Sequence, residues 1–224
     1  MTVNVQRRAS VLARVELFRV VDEVTRVRIA ERAVARDYER GQLLYLQGAP
    51  RDKLFVLARG AVRVYAASRA GDIVELARHH PPAVIGVVGL LAGHPHSATA
   101  EALEGSTLLV IPRDELLRLL PSEPPLVEAL ARAVESIARR TFQQVIDLVL
   151  LDLEGRVARQ LLNLAGGGAR TRRVTQGELA TMVNGARQTV NQVLRSLEAR
   201  GYIRAAGRAF EILDRQRLED LAEQ

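Results

Sequence analysis

The stretch TQGELATMVNGARQTVNQVLRSLEAR, residues 175–200, decides the fold. Thr175-Gln176-Gly177-Glu178 has capping-box spacing: the threonine oxygen takes an orphan amide while the glutamate reaches back to the cap amide. A short helix is predicted from Gln176, with Leu179, Ala180 and Val183 on its buried side. Asn184-Gly185 supplies a tight turn, and Arg187 to Arg200 carries a second helix with Val190, Val193, Leu194 and Leu197 inward. Helix, short turn and helix present the outward N-terminal residues of the second helix to a partner. Here those are Arg187, Gln188, Asn191 and Gln192, all able to hydrogen-bond base edges. Arginine matches the two acceptors of guanine, and Gln or Asn matches the donor and acceptor of adenine. Thr175, Gln176 and Thr189 stand where small polar groups hold phosphates.

Charge concentrates around that stretch. Residues 155–210 hold ten arginines against Glu178 and Glu198, a net charge of +8 where the whole chain carries +6, so the remainder is net acidic. A surplus confined to one segment reads as the footprint of a polyanion, double-stranded DNA first; the other reading is a solvated helical face. After Gly201, residues 202–212 with a central Gly207 read as a hairpin wing that adds Arg204 and Arg208 as phosphate contacts.

Working upstream, Asp152 caps a helix over 153–165 that Gly166-Gly167-Gly168 ends. Before it, Pro124-Pro125 opens a helix running to about Leu151, roughly 40 Å long at about 1.5 Å per residue. Leu130, Val134, Ile137, Thr141 and Leu148 form one seam, and Phe142, Ile146 and Val149 a second stripe. One stripe can cover an N-terminal body and the other meet a second copy of itself; the alternative is one wide core-facing stripe in a monomer. Arg113 to Leu120 reads as a short helix closed by Pro121. Further upstream Gly41, Gly48, Gly60 and Gly71 punctuate β-rich runs at 43–46, 54–58, 62–66 and 73–77, followed by 98–102 and 107–111. That regularity predicts an antiparallel roll, preceded by one or two short helices between Val11 and Ala35.

The absence of cysteine removes disulfides, thiolate metal sites and cysteine-ligated clusters, and fits a reducing cytoplasm. Arg14 and Glu16 interrupt any apolar signal region, and Pro81 to Ala100 is too broken by Pro, Gly and His to span a bilayer, so no membrane partner is expected. No Walker loop, nucleophile–base constellation or paired carboxylate in a Gly-rich context appears, so no catalytic site is expected. His79, His80, His94 and His96 lie beside Pro81 or flank Pro95 and read as exposed loop histidines, so neither metal nor haem is expected.

These blocks resemble the Crp/Fnr family in order and spacing along nearly the whole chain. Residues 151–165 are similar to its hinge and first DNA-domain helix, and residues 175–202 to its helix-turn-helix. Gly41-Gln42-Leu43-Leu44, Gln47-Gly48, Leu54 to Leu57, Gly60 to Tyr65 and Ser97-Ala98-Thr99-Ala100 resemble its cyclic-nucleotide-binding roll. The resemblance implies an α+β chain: a cyclic-nucleotide-binding-like antiparallel β-roll (1–122), a long dimerisation helix (123–151) and a C-terminal winged helix-turn-helix (152–224). It further implies a homodimer on a pseudo-palindromic DNA site, with RNA polymerase as a partner. The effector-pocket positions are Gly86, Val87, His96, Ser97, Thr141 and Phe142. There the chain departs from cyclic-AMP-binding relatives, which carry Gly-Glu-Leu and Arg-Ser-Ala where this sequence has Gly86-Val87-Val88 and His96-Ser97-Ala98, and its intervening loop is one residue short. Val87 cannot accept from a ribose hydroxyl, and neutral His96 lacks the fixed bidentate cation of arginine. Thr141 keeps the adenine-contacting position, whereas Phe142 replaces a small hydroxyl residue. Ordinary cyclic AMP control is therefore not expected and no cofactor is required. The alternatives are a cyclic-AMP-responsive regulator with a variant pocket, and an architectural protein that binds DNA without sequence preference. Gln188, where many relatives carry glutamate, is expected to alter the half-site.

Overall fold

Two runs, Leu54-Phe55-Val56-Leu57 and Leu108-Leu109-Val110-Ile111, are apolar without interruption, the pattern of strands buried on both faces. The computed structural model, which describes residues 2–68 and 73–223, puts both at the centre of the N-terminal unit. Gly71, one of the glycines expected to punctuate the roll, lies outside the described residues. Three helices open the chain: α1 (Thr2–Ala13), α2 (Glu16–Arg19) and α3 (Glu23–Arg32). The strands β1 (Val34–Tyr38), β2 (Leu43–Tyr45), β3 (Lys53–Arg59), β4 (Val62–Ala67), β5 (Ile73–His79), β6 (Ala83–Ile85), β7 (Thr99–Ala102) and β8 (Ser106–Pro112) follow.

They form two antiparallel four-stranded sheets, ordered β1-β8-β3-β6 and β2-β7-β4-β5. Because strand side chains alternate, Phe55, Leu57, Leu108 and Val110 join Val62 and Ala100 in the core between the sheets. Leu54, Val56, Leu109 and Ile111 face the other way, into a cluster with Leu12, Phe18 and Ile29 of the opening helices. At the β3–β4 turn Gly60 has φ +93°, and a Cβ there would lie 2.1 Å from Ser106 Oγ, so only glycine lets the two segments approach.

Two strands differ from the sequence expectation. Helical spacing extends to Ala35, but the chain turns extended at Ala33 and Val34–Tyr38 pairs with β8. As an edge strand it leaves Val34 to Asp37 exposed, so it carries no apolar alternation to read. Strand β6 has three residues directly after Pro81-Pro82, too short for a periodic signal.

Helix α4 (Arg113–Leu119), a 3-10 turn over Leu120–Ser122 and the long helix α5 (Pro124–Leu150) come next. Leu126, Ala129 and Leu130 are buried in the N-terminal cluster, with Ala133 and Ile137 packed against it. Val134, expected on the same seam, is exposed. The later turns of α5 leave Phe142, Val145, Ile146, Leu148, Val149 and Leu150 exposed, Phe142 at 69% and Val149 at 75%, a wider stripe than the sequence suggested.

By packing, residues 1–139 form one unit and 140–224 a second. The second contains α6 (Leu153–Ala165), α7 (Gln176–Met182), α8 (Arg187–Ala199), the hairpin β9 (Ile203–Ala205) and β10 (Phe210–Ile212), and α9 (Arg215–Glu223). Asp152 caps α6 by accepting from Gly155 N at 2.8 Å, and left-handed Gly166 ends it. Among the described residues no helix is long and apolar enough to cross a membrane.

Candidate DNA interface and effector pocket

The capping box forms as read: Glu178 N donates to Thr175 Oγ1 at 3.2 Å, and Thr175 N donates to Glu178 Oε2 at 2.6 Å. Leu179, Ala180, Val183, Val190, Leu194 and Leu197 are buried against Val157 and Leu161 of α6 in one cluster, while Val193 is half-buried. The turn bends through Asn184 at φ +51°. Gly185 is closely packed: a Cβ there would sit 2.7 Å from Leu153 Cδ1 and 2.9 Å from Val190 Cγ2, so a larger residue would push these side chains aside. Arg156 ties this corner together, donating through Nε to Val183 O at 3.2 Å and through Nη1 to Leu151 O at 3.1 Å.

Folding sorts the sequence-expected contact residues. Arg187, Gln188, Thr189 and Gln192 are exposed, and so is Arg195 one turn further along α8. Asn191 is half-buried, its Oδ1 shielded from solvent and without a hydrogen-bond partner. The row 187–191–194 slopes inward to buried Leu194, so Asn191 stands at the rim of the core rather than on the open face. Thr175, Gln176, Arg187 and Arg208 line one open cleft of about 420 Å³ between α7, the start of α8 and the wing. Arg204 is not in it; its guanidinium lies 3.4 Å from Glu211 across the hairpin. The wing is held to α8 by Ala205 N donating to Glu198 Oε1 at 2.8 Å.

Half of the arginine surplus is spent inside the protein. Arg156 bonds main-chain carbonyls, Arg159 reaches Asp147 and Ala222 O, Arg170 bonds Ala206 O, Arg200 pairs with Glu154, and Arg204 pairs with Glu211. Arg172, Arg173, Arg187, Arg195 and Arg208 are exposed, and their guanidinium groups make no hydrogen bond or ion pair among the described residues. A count over 155–210 treats all ten alike because Asp147, Glu154 and Glu211 lie just outside that window.

In the roll the proposed pocket positions scatter. Gly86 is half-buried, Val87 sits in the hydrophobic cluster with Leu90, Ile111 and Leu116, and Ser97 is exposed. His96 is not an exposed loop histidine: it is 4% exposed, and its ring stacks on Tyr45 at 3.6 Å and 10°. Its amide donates to Ala49 O at 3.0 Å and its carbonyl accepts from Gly48 N at 2.7 Å. Burial, with the Arg51 charge adding to it, lowers the His96 pKa to about 4, and burial pushes the Tyr45 hydroxyl up to about 12. Arg51, which the sequence did not single out, is only 7% exposed; Nε donates to His94 O at 3.1 Å and Nη2 to Pro95 O at 3.0 Å. Nothing in the local pattern marks it, since only the fold brings residue 51 under residues 94 and 95. His79 ends strand β5 half-buried, while His80 and His94 are exposed as expected. No group of three or more His, Cys, Asp or Glu among the described residues could hold a metal ion. Thr141 and Phe142 belong to the second unit, where both are exposed.

Comparison with known proteins agrees with this layout. Residues 35–123 match the cyclic nucleotide-binding domain, and residues 155–221 match the Crp-like helix-turn-helix domain. The chain is 30% identical over 216 residues to a CRP-like cAMP-activated global transcriptional regulator of Mycobacterium tuberculosis, covering 93% of this chain and 96% of that protein. It is 31% identical to the cyclic AMP receptor protein of Thermus thermophilus over 84% of this chain and 87% of the other. The fold of FixK2 from Bradyrhizobium japonicum superposes with a TM-score of 0.76 at 22% identity, over 84% of this chain and 96% of that one. With a nucleotide-binding-type roll, a capped helix-turn-helix and full-length relatives of the same order, the chain belongs to the Crp/Fnr family of DNA-binding transcription regulators.

Proposed function

We propose that this regulator binds a pseudo-palindromic DNA site as a homodimer, with the two α8 helices entering successive major grooves about 34 Å apart, and that it does so without cyclic AMP. The observation that carries the DNA reading is the face of α8, where the side chains of Arg187, Gln188 and Gln192 are exposed and make no hydrogen bond with any described residue. Thr175, Gln176, Thr189 and Arg208 hold phosphates beside it, with Arg204 on the wing margin. The exposed Phe142, Ile146 and Val149 stripe supports pairing through residues 123–151, between an effector-type domain at 1–122 and a DNA-binding domain at 152–224. Contact with RNA polymerase, a cytoplasmic location and the absence of catalysis belong to the same reading.

Independence from cyclic AMP follows from the pocket's filling. His96 is stacked and neutral, and Val87 is core, so neither offers a charge-assisted contact to a cyclic phosphate or ribose. The competing reading, control by cyclic AMP, is favoured by the names of the two relatives and by Thr141. Calorimetric titration of cyclic AMP into nucleotide-stripped protein separates them. No heat at millimolar ligand is expected; micromolar binding at one site per subunit would make this a nucleotide-controlled regulator. The architectural reading fails if the apo protein prefers a selected duplex to random sequence.

A further inference from the structure

The open face of α8 carries more information than a list of hydrogen-bonding residues. Gln188, Gln192 and Arg195 lie at i, i+4 and i+7 and are all exposed, so they form one straight row along the helix. Arg187 starts the adjacent row, which dives through half-buried Asn191 to buried Leu194. Only the first residue of that second row therefore reaches outward. Neither glutamine amide makes a hydrogen bond with any described residue, so each keeps both its donor and its acceptor. By contrast the Asn191 oxygen is shielded, which leaves it no donor–acceptor pair to present.

A carboxamide with donor and acceptor side by side complements the N7 acceptor and N6 donor of adenine, and a guanidinium complements guanine. Four residues of helix advance about 6 Å, close to two base-pair rises of roughly 3.4 Å. We propose that Gln188 and Gln192 each read an A·T pair, two base pairs apart, that Arg187 reads a guanine beside the first of them, and that Asn191 reads no base. This rests on the DNA-binding reading above and specifies the half-site chemistry. Arg195, at the far end of the row, supplies charge to the backbone where the helix leaves the bases.

The test is selection from random duplexes with the full-length protein and with Gln188→Glu, Gln192→Ala and Asn191→Ala, each checked for native far-UV circular dichroism and unchanged oligomeric mass. The wild type is expected to enrich half-sites with one G·C pair and two A·T pairs at that spacing. A glutamate accepts from the cytosine amino group, so Gln188→Glu is expected to convert one A·T pair to C·G, with relative affinity for the two sites reversed by roughly tenfold or more. Gln192→Ala is expected to relax the second A·T position alone, and Asn191→Ala to leave the selected sequence unchanged. A motif whose bases do not respond to Gln188→Glu, or one that loses a base preference in Asn191→Ala, would overturn the assignment while leaving sequence-specific binding intact. If no motif is enriched by the wild type, the DNA reading itself fails and the half-site with it.

Discussion

The loop around His96 in the roll and the open face of α8 use their polar side chains in opposite ways. In the roll, charges turn inward: Arg51 is bonded to two loop carbonyls, Arg78 to Glu75 and Arg63 to Glu101, and His96 is stacked under cover. In the helix-turn-helix unit, the side chains of five arginines, two glutamines and Thr189 stand outward with no hydrogen bond to any described residue. A surface built for a partner must leave its hydrogen-bonding capacity unspent, because a bond already made inside the protein has to be broken before it can be offered outside. The contrast lies between the buried or half-buried charges of the roll, which are paired, and the outward face of α8, whose polar side chains are not.

The largest effect expected from breaking this contrast is in the roll. Val87→Glu, which restores the carboxylate of cyclic-AMP-binding relatives, puts a charge among Leu90, Ile111 and Leu116 with no partner there. It should cost about 3 kcal/mol or more in urea unfolding. A neutral effect would mean that residue 87 faces a wet pocket rather than the core.

Next comes pH. The folded pKa of His96 is depressed from 6.5 to about 4, so the unfolded chain takes up its proton first as pH falls. The stability tied to this group is full above pH 6.5 and is lost progressively down to about pH 4, at most about 3 kcal/mol. Urea midpoints at pH 7.5 and 4.5 should therefore diverge more for the wild type than for His96→Phe, which keeps a ring against Tyr45 but cannot titrate. Equal slopes would show that His96 is exposed to water.

In the other half, Arg187→Ala should lose about 1 to 3 kcal/mol of discrimination at one base pair while binding to random duplex changes little. Equal weakening on every sequence would turn Arg187 into a phosphate contact. The smallest effect is Thr175→Ala, expected to cost about 1 kcal/mol of stability through the lost cap. Its loss of DNA affinity should exceed what unfolding explains only if the threonine also touches phosphate, which binding below the melting transition measures.

Short-range rules made the second unit legible in advance. The capping box, the Asn184-Gly185 turn, the limits of α6 and the wing each depend on residues a few positions apart. In the roll, β3 and β8 were readable as apolar runs, whereas β1 was not, since an edge strand with exposed side chains has no burial pattern to print on the sequence. Within the candidate site, Asn191 looked equivalent to its neighbours because helical spacing alone does not say how far around α8 the core extends; Leu194 and Leu197 packing against α6 decides that.

The amino-acid sequence by itself determined that this chain is a β-roll followed by a long helix and a basic winged helix-turn-helix, because caps, turns and alternation are local consequences of residue type. Only the tertiary structure decided which charges remain available. Arg200 meets Glu154, and Arg51 and Tyr45 close over the loop at 94–96, through contacts between segments that adjacent residues do not encode. Availability depends on three-dimensional neighbours, since a guanidinium is free or occupied according to what folding brings within hydrogen-bond reach.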